Sequence, residues 1–112
     1  MQKFRLYLDD ILTSTQRIQE YVKDMDFLSF EKNQLVIDAV IRNLEIIGEA
    51  AKKVPKTLRI KYPGIEWKKI AGLRDILIHE YFAVNMDILW DIVTNKVPAL
   101  VMSVREIIAT EK

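Results

Sequence analysis

The sequence predicts an all-α fold, a bundle of four or five helices. Apolar residues recur in steps of three and four along most of the chain, and strand-like alternation is absent. Only three glycines and three prolines interrupt 112 residues. That length suits a single domain, 1–112, able to bury roughly two thirds of the surface its unfolded chain would expose.

Helix one is expected from Lys3 to about Asp24, burying Phe4, Leu8, Ile11, Leu12, Thr15, Ile18, Val22 and Met25. The segment MDFLSF breaks the pattern, and Ser29 is a candidate N-cap for the next helix. Helix two, about Glu31 to Val54, contains the most apolar run, LVIDAVIRNLEIIGEAAKKV. Such a broad apolar surface implies a central helix packed on more than one side. One polar stripe survives on it, at Asp38, Arg42, Glu45, Glu49 and Lys52. Gly48 in its interior costs roughly 1 kcal/mol against alanine, which close approach of another helix would explain. Pro55 and the YPG at Tyr62 to Gly64 bracket one or two short helical turns. Helix three is expected from Trp67 to about Phe82. Asn85 is placed to cap helix four, MDILWDIVTNK. Pro98 either opens helix five, PALVMSVREIIATE, or kinks a longer helix.

Composition narrows the chemistry. Half the residues are apolar and 29% are charged, as in ordinary globular domains. Absence of cysteine excludes disulfides and thiolate zinc sites, and fits a reducing compartment. The single histidine, His79, excludes a multi-histidine metal site within one chain; a carboxylate site stays open but nothing in the sequence supports one, and the expectation is no metal and no cofactor. The N-terminal MQKFRLYLDDIL lacks the apolar region of a signal peptide, and no apolar run reaches membrane-spanning length. A cytoplasmic protein without a membrane partner is the expectation.

The net charge of +1 conceals a polarised chain. Between Lys52 and Arg74 lie eight cations (Lys52, Lys53, Lys56, Arg59, Lys61, Lys68, Lys69 and Arg74) against one acid, Glu66. That balance of +7 leaves −6 for the other 89 residues. Such a segment, with Lys52, Lys53, Lys68 and Lys69 as candidate RNA contacts, can present an anion-binding face. It can equally be a solvated surface around a turn.

The basic segment leads into GLRDILIHEYF, Gly72 to Phe82, where Arg74, Asp75, His79 and Tyr81 occupy an otherwise apolar helix. Arg74 and Tyr81, seven apart, share one stripe; Asp75 and His79, four apart, can touch. Arg74 and His79, five apart, diverge by about 140°. Either the arginine curves toward the histidine or a second subunit supplies what one helix cannot. Arginine binds phosphate through a planar fork of donors, and histidine can take a proton at neutral pH. Asp75 could fix the histidine's tautomer. Together these groups suit attack of an RNA 2′-hydroxyl on its own neighbouring phosphate, a reaction needing neither metal nor water nucleophile. The plain alternative is a surface His–Asp pair, with Arg74 bound to an acid of helix two.

RDILIHEYF resembles the Arg-x4-His-x-Tyr signature of the HEPN domain family, in its branch of small HepT-like toxins. AVIRNLEIIGEAAKKVP, YPGIEWKKIAGLRDILIHEYF and MDILWDIVTNKVPAL resemble segments of the same family in the same order, across about two thirds of the chain. The resemblance implies a helical bundle that homodimerises and acts as a metal-independent ribonuclease, with tRNA the suggested substrate class. Arg74 and His79 fall on the family's catalytic pair. Tyr81 falls on the tyrosine that a partner antitoxin of minimal nucleotidyltransferase (MNT) fold modifies with AMP, as in type VII toxin–antitoxin pairs. Many members carry Asn after the arginine where this chain has Asp75, an acid that would repel phosphate unless paired. A two-fold axis near helix three is the expected dimer seam, with Trp67, Tyr81, Phe82 and Trp90 near it. Two further readings stand: a non-catalytic RNA- or nucleotide-binding bundle, and a protein-interaction module in which Arg74 and His79 are interface residues.

Overall fold

The computed structural model describes residues 3–79 and 84–111, with the side chains of residues 78 and 79 also outside the described set. Most of the described residues are helical and none lies in a strand. In chain order the helices are α1 (Lys3–Val22), α2 (Phe27–Glu31), α3 (Gln34–Lys53), α4 (Lys56–Lys61), α5 (Trp67–His79), α6 (Met86–Asp91) and α7 (Val97–Thr110). A five-residue π-helical segment, Ile92–Lys96, joins α6 to α7.

α1 buries Leu8, Ile11, Thr15 and Ile18, the positions its three-and-four spacing selects. The buried Thr15 hydroxyl donates to the Leu12 carbonyl, so its polarity is satisfied inside the helix. Asp24 ends the helix with φ 64°, the left-handed conformation that aspartate adopts more readily than most residues.

Two caps differ from expectation. Ser29 does not open the second long helix; it is the third residue of α2, in a reciprocal capping box. Its backbone N–H donates to Asp26 Oδ1 at 2.8 Å, and its hydroxyl accepts from the Asp26 N–H at 3.0 Å. These bonds also pull the Asp26 carboxyl below its usual pKa. Asn33 caps α3 instead, accepting from Val36 N–H at 3.1 Å, so that helix begins at Gln34 rather than Glu31. The extra turn buries Phe30 completely against Trp90, ring centroids 5.0 Å apart.

α3 is the central helix. Ile37, Val40, Ile41, Leu44, Ile47, Ala50 and Ala51 are buried on it, packed between α1 and α5. Each large side chain so buried contributes roughly 1.5–3 kcal/mol. Gly48 has the purpose its cost suggested. A Cβ there would lie 2.8 Å from Arg74 Cβ and 3.0 Å from the Ile70 carbonyl oxygen, both on α5.

Asn85 caps α6 as expected, accepting from Asp87 and Ile88 N–H groups. Pro98 is the second residue of α7, the early position expected, and the π-helical segment runs directly into that helix. A proline ring clashes with the carbonyl four residues back in an α-helix. The preceding turn widens, so that the Val97 N–H reaches five residues back to the Ile92 carbonyl. Of the two tryptophans expected near a dimer seam, Trp67 is turned into the core and Trp90 is partly buried. Trp67 is 6% exposed and donates its indole N–H to the Tyr62 carbonyl, while Trp90 packs on Phe27 and Phe30. Tyr81 and Phe82 lie outside the described residues.

At the far end of α7, Glu111 receives Lys61 Nζ at 2.7 Å and the Tyr62 hydroxyl at 2.5 Å. These donors hold the Glu111 carboxyl below its usual range, and Glu111 in turn raises both Lys61 and Tyr62. The carboxylate's contribution is present above its ordinary value of 4.5 and lost as pH falls through the lowered folded value. The Lys61 and Tyr62 contributions are complete below 10.5 and 10.0 and lost as pH rises through their raised values.

Two outcomes are expected. Gly48→Ala gains up to about 1 kcal/mol of helix propensity but loses about 1–3 kcal/mol to overpacking against Arg74. Thermal denaturation should show a net lower Tm, and an unchanged or higher Tm refutes the close packing. Glu111→Gln should flatten the fall in stability below pH 4.5, read by urea unfolding across the acid range; an identical acid limb would show the tie to be inert.

Candidate active site

α5 is seated by residues that face inward. Trp67 and Leu77 are buried, and Ile70 and Leu73 pack on the core from the same helix. Seating those residues brings Arg74 onto α3 over Gly48, with its side chain 34% exposed. There Arg74 Nε lies 2.7 Å from Glu49 Oε2, and Nη1 makes a longer 3.4 Å contact with Asp75 Oδ1. The plain alternative for Arg74, an ion pair with an acid of the second long helix, is therefore present. Partly exposed as it is, it carries a modest share of stability.

Arg74 forms one wall of a depression of about 240 Å³. Tyr7 and Asp10 of α1, and Arg42, Glu45 and Lys53 of α3, contribute the others. The lining is therefore a mixed field of acids and bases that includes two guanidiniums reached by solvent, those of Arg42 and Arg74. Such a surface can hold a phosphate against Arg74 while acceptors nearby contact a sugar or base.

The other candidates are spread over several elements. His79 is the last described residue of α5, and its side chain lies outside the description; Tyr81 lies outside it altogether. Asp75 is 64% exposed and leans toward Arg74. Lys53 joins Arg74 in facing Glu49, its Nζ 3.7 Å from Oε1. Lys52 and Lys68 are exposed. Lys69 belongs to a different feature, an apolar groove of about 380 Å³ between α3, α5 and α7. At that groove's mouth Glu66 receives Lys69 at 2.8 Å and Lys96 at 3.9 Å. The hydrogen bond from Lys69 depresses the Glu66 pKa and raises that of Lys69.

The basic segment is thus partly neutralised from elsewhere in the fold: Glu49 faces Lys53 and Arg74, and Glu111 faces Lys61. Glu49 is the residue that sequence reasoning missed at this site. Its signal was present, since it follows the anomalous Gly48 directly and sits on the polar stripe of an otherwise apolar helix. Among the described residues no group of three or more His, Cys, Asp or Glu could hold a metal ion. None of the described helices is long and apolar enough to cross a membrane.

The model of a protein family described as "Ribonuclease HepT-like" matches residues 11–107. The chain belongs to the HepT-like ribonuclease family. The match runs from the middle of α1 to near the end of α7, so it includes both helices that meet at Arg74. Among the relatives of this HepT-like chain is a provisionally named RNase of Caldanaerobacter subterraneus subsp. tengcongensis, 45% identical over the whole of both chains. Another provisionally named RNase, from Methanocaldococcus jannaschii, is 48% identical over 93% of this chain and 86% of its own. A Thermococcus cleftensis protein named "Probable ribonuclease HepT" is 42% identical over 84% of this chain and 86% of its own. No solved structure matches.

Proposed function

We propose that this HepT-like protein is a metal-independent ribonuclease toxin, cleaving RNA with Arg74 and His79 and restrained by a nucleotidyltransferase antitoxin. The observation that carries the reading is an accessible Arg74 on a polar depression, on the helix that also contains His79, in a chain of the ribonuclease family. In the reaction His79 takes the proton from a 2′-hydroxyl, whose oxygen attacks the adjacent phosphorus. The bond to the 5′-oxygen breaks and that oxygen takes up a proton. The products are a 2′,3′-cyclic phosphate and a 5′-hydroxyl. Arg74 stays charged throughout and binds the phosphorane oxygens. The substrate class favoured is tRNA, by family resemblance.

A homodimer completes the site. Five helical residues separate Arg74 from His79, a rotation of about 140°, so two α5 helices facing across a two-fold axis supply what one does not. Ile76, half exposed on α5 between them, is apolar surface that a second copy would cover. Tyr81 is the proposed acceptor of AMP from the antitoxin. Its hydroxyl oxygen would attack the α-phosphorus of ATP and release pyrophosphate. The adduct puts a negative phosphodiester beside Arg74, competing with RNA without unfolding the protein. Asp75 serves His79, or else weakens phosphate binding through Arg74. One observation favours a second reading, in which Arg74 is a structural cation and the bundle binds RNA without cleaving it: its 2.7 Å pair with Glu49.

Two experiments separate these readings. Arg74→Ala and His79→Ala should each lower cleavage of a tRNA pool by roughly 10²–10³-fold in the presence of EDTA, with unchanged circular dichroism. Full activity in either variant refutes the mechanism, and no cleavage by the wild type supports binding alone. Coexpression with an MNT-fold partner should add AMP-sized mass to the wild type and none to Tyr81→Phe, which still cleaves RNA. Equal neutralisation of both proteins without a mass change would show that control is by binding.

A further inference from the structure

The two oxygens of Glu49 face two cations. Oε2 lies 2.7 Å from Arg74 Nε, and Oε1 lies 3.7 Å from Lys53 Nζ. Which nitrogen of the arginine is engaged matters. A guanidinium offers acceptors two usable edges, one containing Nε and one formed by the terminal nitrogens. An acceptor held at Nε fixes the plane of the group about its last rotatable bond. It leaves the terminal edge, the one suited to two phosphate oxygens, unoccupied by Glu49. The backbone beneath is fixed as well, because Gly48 lets α5 rest on α3 at Arg74 Cβ. Asp75 contacts Nη1 at 3.4 Å from a largely exposed side chain, a weaker hold that an incoming phosphate can displace.

We propose that Glu49 is a positioning residue for RNA cleavage. It holds Arg74 through Nε so that the terminal nitrogens meet the scissile phosphate, and Lys53 offsets the repulsion between Glu49 and the RNA backbone. The inference rests on the ribonuclease reading and adds an α3 residue to the catalytic apparatus, which that reading draws from α5 alone. The opposite role, an internal anion competing with phosphate for Arg74, fits the geometry less well. Glu49 occupies the Nε side, and the Arg74 side chain remains one-third exposed on an open depression.

The test measures kcat and KM on an unpaired fluorescent RNA oligonucleotide, using the full-length protein and its Arg74→Ala, Glu49→Ala and Glu49→Gln variants. It adds Arg74→Lys alone and combined with Glu49→Ala. Misplacement of the arginine in Glu49→Ala should lower kcat by roughly 10- to 100-fold, with KM changed by less than about threefold. Glu49→Gln, whose amide oxygen still accepts from Nε, should stay within about threefold of wild type. In the Arg74→Lys background, which lacks Nε, Glu49→Ala should cost nothing further. A purely structural Glu49 would lower Tm in Glu49→Ala and leave kcat per folded molecule unchanged, which overturns the inference. Faster cleavage by Glu49→Ala overturns it in favour of competition, and equal losses in the Ala and Gln variants overturn it in favour of charge. If Glu49→Ala does not fold, a Glu49→Gln variant with more than tenfold lower kcat is the result that overturns it. A wild type that cleaves no RNA, or a fully active Arg74→Ala, defeats the ribonuclease reading itself. An inactive Arg74→Ala beside an unaffected Glu49→Ala defeats only this inference.

Discussion

The crossing of α3 and α5 at Gly48 is the constraint on which the rest of the site depends. Helices that meet through ordinary side chains keep their axes about 8–10 Å apart. A hydrogen in place of a side chain lets the backbone of α5 settle onto α3, within 3.1 Å of a Cβ that is not there. That contact fixes the origin of the Arg74 side chain and determines which α3 residue it can reach. Glu49, the next residue along, is the one it finds. A residue that looks like a defect in helix propensity is therefore the anchor of the most chemically loaded position in the bundle.

Much of this arrangement was legible in the sequence because helices report on themselves. The three-and-four spacing of Leu8, Ile11, Thr15 and Ile18 marked the buried face of α1, and Asn85 announced the start of α6. Gly48 even advertised a close neighbour. What the sequence did not show is mostly short or crosses between elements. α2 has five residues, too few for periodicity, so Ser29 appeared to be a cap when Asp26 and Asn33 fill that role on either side. Helical spacing identifies partners within one helix and is silent on pairs between helices, so Glu49 stayed unassigned beside Arg74. Trp67 looked available for an interface because composition cannot distinguish a core tryptophan from a seam tryptophan. His79 and Tyr81 rest on spacing and family resemblance.

The charge distribution teaches a related lesson. Counted along the chain, residues 52–74 form a basic block; folded, that block meets Glu49 and Glu111. Pairing of this kind holds the fold's own cations in place while leaving Lys52, Lys56 and Lys68 in solvent. The electrostatic attraction for a polyanion is then weaker than the linear count suggests.

The π-helical turn at Ile92–Lys96 bears on how such chains can change length. A π turn holds one more residue than the α turn it replaces, so everything after it is rotated by about 100° relative to an uninterrupted helix. The faces of α6 and α7 are matched to that offset: Leu89, Val93, Val97, Val101, Val104 and Ile107 are all buried. Losing one residue from the turn would drive the Pro98 ring against a carbonyl and turn the buried face of α7 toward water. Single-residue insertions and deletions are ordinarily absorbed at the ends of elements. Here the middle of the longest rod already contains one, and the spacing from Asn85 to Pro98 is as binding on the chain as any side chain in its core.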